Sequence, residues 1–295
     1  MNIIKTRSLQ RSNSPGPLVD YIIAMQKGIT MHNQYHSPTT NTKPLFGISG
    51  STVKLIAMFC MFLDHFAAIL IEQPLYRNAL IAANSQSELD AFLASHNALI
   101  MAGSFLRSVG RIAFPLFAFL LVEGFLHTHS KIKYCRNLFL MALLAEIPFD
   151  LAFSSSIWNF ASQNTLFTLT LGLLTIWALS HLGETCQSRW FNLIYTLLIT
   201  AVGCGAAYLL QTDYNLYGIL AIVLFYLFRT QRNTATILAC GALSLLGPEQ
   251  WFCFLALIPI LKYNGSRGLK LKYTFYLFYP VHLLVLYAVA QAIGL

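Results

Sequence analysis

Three residues have the types and spacing for proton-transfer chemistry inside an apolar protein: Asp64, His65 and His282. A histidine titrates near neutrality, so it can act as general base or nucleophile, and a carboxylate can hold its tautomer. Neighbouring residues on a helix diverge by about 100°, so Asp64 and His65 do not face each other. One of them must look to another helix. Asp64 orienting His282 and His65 lying beside His282 are both open. The structural alternative is a set of interhelical hydrogen bonds that locks a bundle. Two further pairs at i, i+4 add charge: Arg107 with Arg111, and Glu146 with Asp150 around Pro148. Their charges cancel, so the pairs can face each other as a clamp. The competing reading is contact with a substrate carboxylate or phosphate, or with an oxyanion, through Arg111.

Elements that carry such residues must be read against the composition. The chain has 295 residues, 56% hydrophobic and only 10% charged. Soluble domains average about 45–50% apolar and about 25% charged. These proportions exclude a soluble globular enzyme, a disordered protein and a coiled coil. They predict an all-α, polytopic membrane bundle. The net charge of +8 does not indicate a nucleic-acid partner, because the basic residues lie in short connectors between apolar runs. The cysteines Cys60, Cys135, Cys186, Cys204, Cys240 and Cys253 have no CxxC spacing. Neither a metal site nor a disulfide framework is expected. GxGxxG, P-loop, HExxH and GxSxG patterns do not occur in a suitable context.

Residues 1–47 are rich in Ser, Asn, Thr, Pro and Lys/Arg and predict a basic, mostly disordered tail. The stretch Leu18 to Met25 is broken by Asp20 and lacks the h-region of a signal peptide. Beyond it come nine apolar runs, near 53–71, 105–126, 134–153, 165–182, 190–210, 215–229, 234–247, 250–262 and 273–294. They are continuously apolar, which favours helices over a barrel. With the N-terminus cytoplasmic, most of the 19 Lys and Arg residues fall on the cytoplasmic side. Asp64 and His65 then lie about 15 Å along the first run, and His282 reaches a similar depth in the ninth. Charges at that depth cost about 2.5–3.5 kcal/mol on insertion scales and need a partner or a task. The outer connector Glu72 to Ser104 contains Leu89-Asp90-Ala91-Phe92-Leu93, which reads as an interfacial helix or a lid.

Near the cytoplasmic ends, Glu123 and Arg136 predict an ion pair that staples the second and third spans. Glu123, His127, Lys131, Lys133, Arg136, Lys270 and Lys272 also suit an entrance for an anionic nucleotide carrier. Asn164, Thr165 and Asp213 read as helix caps on the outer side.

Four stretches go further. They are Leu63-Asp64-His65, then Gly110-Arg111-Ile112-Ala113-Phe114-Pro115 running on to Glu123-Gly124, Ala145-Glu146-Ile147-Pro148-Phe149-Asp150-Leu151-Ala152-Phe153, and Phe278-Tyr279-Pro280-Val281-His282. In this order they resemble the TraX family of conjugation-associated membrane proteins. The resemblance spans about residues 50–290, inside a transmembrane domain of residues 48–295. It implies a bacterial inner-membrane acetyltransferase related to transmembrane acyltransferases. Acetyl-CoA is then the co-substrate, membrane lipid the surroundings, and a pilin-like N-terminal amine or a glycan the acceptor. His282, His65 and Asp64 are the expected catalytic group. Two rival readings stay open: a small-molecule transporter or flippase, and a non-enzymatic assembly factor for a pilus or conjugation apparatus.

Overall fold

The structure, a computed structural model, describes residues 47–83, 85–185, 189–269 and 272–294. The basic tail expected over residues 1–47 lies outside the described residues except for Gly47. The described chain is helical, in keeping with the composition. Its helices are α1 (Gly50–Ala67), α2 (Gln73–Ala82), α3 (Gln86–Ser95), α4 (Asn97–Gly110), α5 (Ala113–His127), α6 (Lys131–Ser154) and α7 (Thr165–Thr185). They continue as α8 (Arg189–Leu209), α9 (Asn215–Leu227), α10 (Arg232–Ser244), a 3₁₀ segment (Pro248–Ala256), α11 (Leu257–Lys262) and α12 (Lys272–Ala292).

Local chemistry sets the boundaries. Ser49 caps α1 by accepting from the Thr52 N–H at 3.3 Å, and Ser130 caps α6 by accepting from the Lys133 N–H at 3.3 Å. Helix α6 stops at Ser155, which is left-handed at φ 53°. A π-helical turn, Ala68–Glu72, joins α1 to α2 into one 32-residue helix, Gly50–Ile81. Pro115 cannot donate to the carbonyl four residues back, that of Arg111, and the chain breaks into a turn at Arg111 and Ile112 between α4 and α5. The stretch Leu89–Leu93, read as an interfacial helix or a lid, is helical as part of α3, which has no buried residue.

Among the described residues, four helical stretches are long and apolar enough to cross a membrane: Gly50–Ile81, Asn97–His127, Lys131–Ser154 and Trp190–Leu209. Shorter apolar helices cover 165–181, 215–227 and 276–292. The chain is therefore a helical membrane protein. Helix α8 is the most outward-facing of the four stretches, with Ile194, Leu197, Leu198 and Val202 exposed for lipid.

Two apolar clusters organise the bundle. The larger centres on α5, α7, α9 and α10, with Phe114, Leu116, Leu173, Ile176, Ile219, Ile222 and Leu243 fully buried. The smaller joins α6 and α12 to the α1 helix through Ile69, Ala145, Phe149, Tyr279, Leu283 and Leu286. At one end, the loop before α12 covers the start of α1: Gly50 and Ser51 donate to the carbonyls of Ser266 and Arg267 at 2.8 and 3.1 Å. At the other, Gln163 and Asp213 tie the start of α7 to the start of α9 through backbone bonds.

Candidate functional site

The smaller cluster holds the first part of the site. His65 lies at the middle of the 32-residue helix and His282 at the middle of α12. Nδ1 of His65 is 2.7 Å from Nε2 of His282, and both residues are buried. Nδ1 of His282 is in turn 2.7 Å from the Phe278 carbonyl oxygen. A carbonyl only accepts, so Nδ1 of His282 carries a proton. In the neutral ring Nε2 is then an acceptor, and Nδ1 of His65 must be its donor. This chain of roles leaves the lone pair of His65 on Nε2. The rings are nearly parallel, 11° apart, with centroids 4.9 Å apart. Phe153 and Tyr279 meet His65 edge-on at 5.6 and 6.0 Å, and Phe278 stacks on His282 at 4.7 Å. These contacts fix the ring planes.

Asp64 turns the other way, as the helical offset requires. Its carboxylate takes Nη1 of Arg107 at 2.6 Å and Nη2 of Arg111 at 3.4 Å. Arg107 also meets Glu72 at 3.1 Å through Nε. The π-helical turn separates these two acids of the α1–α2 helix, and both meet Arg107. Gly110 makes the approach possible: a Cβ there would lie 2.3 Å from Cβ of Asp64. Beyond it Arg111 neighbours Tyr214, which stacks on Phe114 at 3.8 Å. Of the two open arrangements, the structure has His65 beside His282. Asp64 does not orient His282.

The expected clamp between the Arg107/Arg111 and Glu146/Asp150 pairs is corrected. Both arginines pair with Asp64, because α4 packs on α1 rather than on α6. Glu146 and Asp150 instead hold the connector from α6 to α7. Oε2 of Glu146 accepts from the Asn164 backbone N–H at 3.2 Å and also from its side-chain amide. Oδ2 of Asp150 accepts from the Asn159 N–H at 2.8 Å. Asn164 thus caps α7 from inside the bundle, through Oδ1 to the Leu166 N–H at 2.9 Å. Thr165 donates to Asp213 across the adjoining helix starts.

The residues expected at the other end are dispersed. Among the described residues no ion pair joins Glu123 to Arg136; Glu123 faces the Tyr263 hydroxyl, and Arg136 is exposed. Arg232 donates to the Tyr263 carbonyl at 2.7 Å and lies over its ring. Nζ of Lys131 donates to Ser180 at 3.3 Å and lies 4.7 Å from the Phe125 ring centre. His127 and Lys133 are exposed, His127 hydrogen-bonding the Glu123 carbonyl through Nδ1 at 2.8 Å. Lys270 lies outside the described residues, as does the side chain of Lys272 at the start of α12.

Sequence reasoning passes over Tyr279, Phe153, Tyr214 and Gly110 as parts of the site. Each lies within or beside a residue run that carries charge. A bulky or absent side chain has no signature of its own until the helices are paired. Among the described residues no group of three or more His, Cys, Asp and Glu is placed to hold a metal ion.

Fold and site together define a helical membrane protein with a polar centre built on three packed helical segments. The chain belongs to the TraX family, whose sequence profile, described as TraX protein, matches residues 49–290. It is also 29% identical over 264 residues to a protein of Dichelobacter nodosus named "Probable fimbrial assembly protein FimC, serogroup H1". That alignment covers 81% of this chain and 94% of the relative. No solved structure matches it significantly.

Proposed function

We propose that this protein is an acetyltransferase of the bacterial inner membrane, moving acetyl from acetyl-CoA to an amine at or across the membrane. The observation that carries the reading is the His65–His282 pair. A neutral histidine with a defined free nitrogen, buried among aromatic rings at the middle of a long apolar helix, has the form of a general base. In the proposed step Nε2 of His65 takes a proton from the acceptor ammonium. The freed amine attacks the thioester carbon; the C–N bond forms and the C–S bond breaks. His65 returns its proton to the departing thiolate, and the second amine proton leaves to solvent, so one proton is released per amide formed. His282 is a positioning residue that holds Nδ1 of His65 as donor.

Acetyl-CoA would approach from the cytoplasmic end, where exposed His127, Lys133 and Arg136 offer groups suited to phosphates. Family membership and the fimbrial name of the relative support a pilin-like acceptor. The test uses membranes with and without the protein, given acetyl-CoA labelled in its acetyl group. Protein-dependent label on a small membrane-inserted protein supports the reading. Label on a glycan keeps the enzyme and replaces its acceptor. With the acceptor present and the protein shown to be folded, absence of label removes the enzyme.

A further inference from the structure

The corrected clamp leaves a charge problem on α6. Glu146 and Asp150 are buried, 7% and 2% exposed, and among the described residues neither has a cationic partner. Arg107 and Arg111, the partners expected from the sequence, are bound to Asp64. Each α6 carboxylate uses one oxygen for structure: Oε2 of Glu146 receives Asn164, and Oδ2 of Asp150 receives Asn159. The second oxygens, Oε1 of Glu146 and Oδ1 of Asp150, are buried without a hydrogen-bond partner. One more buried polar atom without a partner belongs to a neighbouring element, the hydroxyl of Thr168 on α7. Holding a connector requires one oxygen of each acid, not two. A buried carboxylate without a counter-charge is expensive, and a buried acceptor without a donor costs about 1–3 kcal/mol.

A cation with several N–H donors answers both requirements. The i, i+4 spacing sets the two acids about one helical turn apart, within reach of a single ammonium with three donors. The position also suits the chemistry. Phe153, one turn beyond Phe149 and three residues after Asp150, meets the His65 ring edge-on, and Tyr279 touches both histidines. Glu146 lies within electrostatic range of Tyr279.

We infer that Oε1 of Glu146 and Oδ1 of Asp150 form a recognition site for a primary ammonium group, the acceptor of the reaction. This inference rests on the acetyltransferase reading for its purpose and assigns the residues that hold its amine. Bound there, the ammonium is held by the two carboxylates before it reacts. Acetylation turns the cation into a neutral amide and so weakens its hold, which favours release of product.

The test is a binding measurement, so that it does not depend on turnover. The full chain is placed in lipid nanodiscs. The probes are an apolar hexapeptide labelled at its C-terminus, with a free N-terminus, and its N-acetylated twin. Protein-free discs give the partitioning baseline. Wild type is expected to bind the free amine at least tenfold more tightly than the twin. Glu146→Gln combined with Asp150→Asn keeps an oxygen for Asn164 and Asn159 but removes the charge, and the preference should fall to within twofold. Where the double variant does not fold, Asp150→Asn alone is read, with a fall of at least threefold expected. A wild type without preference, or a folded variant that keeps it, overturns the inference. Acetyl transfer is followed on the same preparations. Preference without transfer removes the acetyltransferase reading and leaves the ammonium site, whereas transfer without preference does the reverse.

Discussion

Nδ1 of His65 and Nε2 of His282 lie 2.7 Å apart although 217 residues separate them in the chain. The contact closes α12 onto α1 and, through the Phe278 carbonyl, leaves the lone pair of His65 on Nε2. The two histidines are therefore unequal. His65→Ala removes the reacting nitrogen and should reduce acetyl transfer by about 10²–10⁴-fold, the usual worth of a general base. His282→Ala removes only the holder of the tautomer and should cost less, with a shifted pH–rate profile and partial recovery in His282→Gln, whose amide oxygen can still accept. Steady-state rates on membranes with matched protein levels read the difference. Equal losses in all three variants would contradict the division of roles.

Gly110 and Asp64 are in such close approach that any side chain at 110 must move one of the two helices. Gly110→Ala should destabilise the protein by about 1–3 kcal/mol, the typical cost of overpacking. Gly241 is the internal comparison. It lies within α10, where an added methyl group would meet nothing within 4 Å. Gly241→Ala should leave stability unchanged or raise it by up to about 1 kcal/mol, through helix propensity. Thermal unfolding in detergent distinguishes the two. A Gly110→Ala protein as stable as wild type would mean that α1 and α4 do not meet at Asp64.

The pairing of Asp64 with Arg107 and Arg111 makes a coupled prediction. Arg111→Ala should lower the yield of folded protein in the membrane well below that of Lys131→Ala, because it strips a guanidinium from a largely buried carboxylate while Lys131 meets a serine hydroxyl and a ring face. Asp64→Asn with Arg107→Gln should be less harmful than the sum of the two single changes, since each single variant leaves its former partner charged. Folded yield by size exclusion and a double-mutant cycle measure this. Strict additivity would count against the ion pair.

Much of this arrangement is legible in the sequence, for definite reasons. Continuous apolar runs declare the helices, and the charges within them stand out because each is costly in lipid. The 100° offset between Asp64 and His65 already sends one of them to another helix. The choice of partner is not legible. Opposite charges at matching spacing on neighbouring spans suggest Arg107 and Arg111 against Glu146 and Asp150, but periodicity fixes the face of a helix and not its neighbour. The break at Arg111–Ile112 turns the chain between α4 and α5 at the end of that face, and it has no reliable sequence signal apart from Pro115. Proximity along the hairpin likewise pairs Glu123 with Arg136, whereas the end of α11 delivers Tyr263 to Glu123 from more than a hundred residues away.

The most direct test of the central claim is a single-turnover experiment. Wild type and His65→Ala, both shown to be folded in nanodiscs, are mixed with acetyl-CoA labelled in its acetyl group and an excess of the free-amine hexapeptide. Wild type should label the peptide rapidly and release one CoA thiol per amide, and His65→Ala should lose both by at least about 10²-fold. Equal transfer by the two proteins would contradict the role given to His65, and no transfer by wild type to this peptide or to a membrane-inserted pilin-like protein would contradict the acetyltransferase itself.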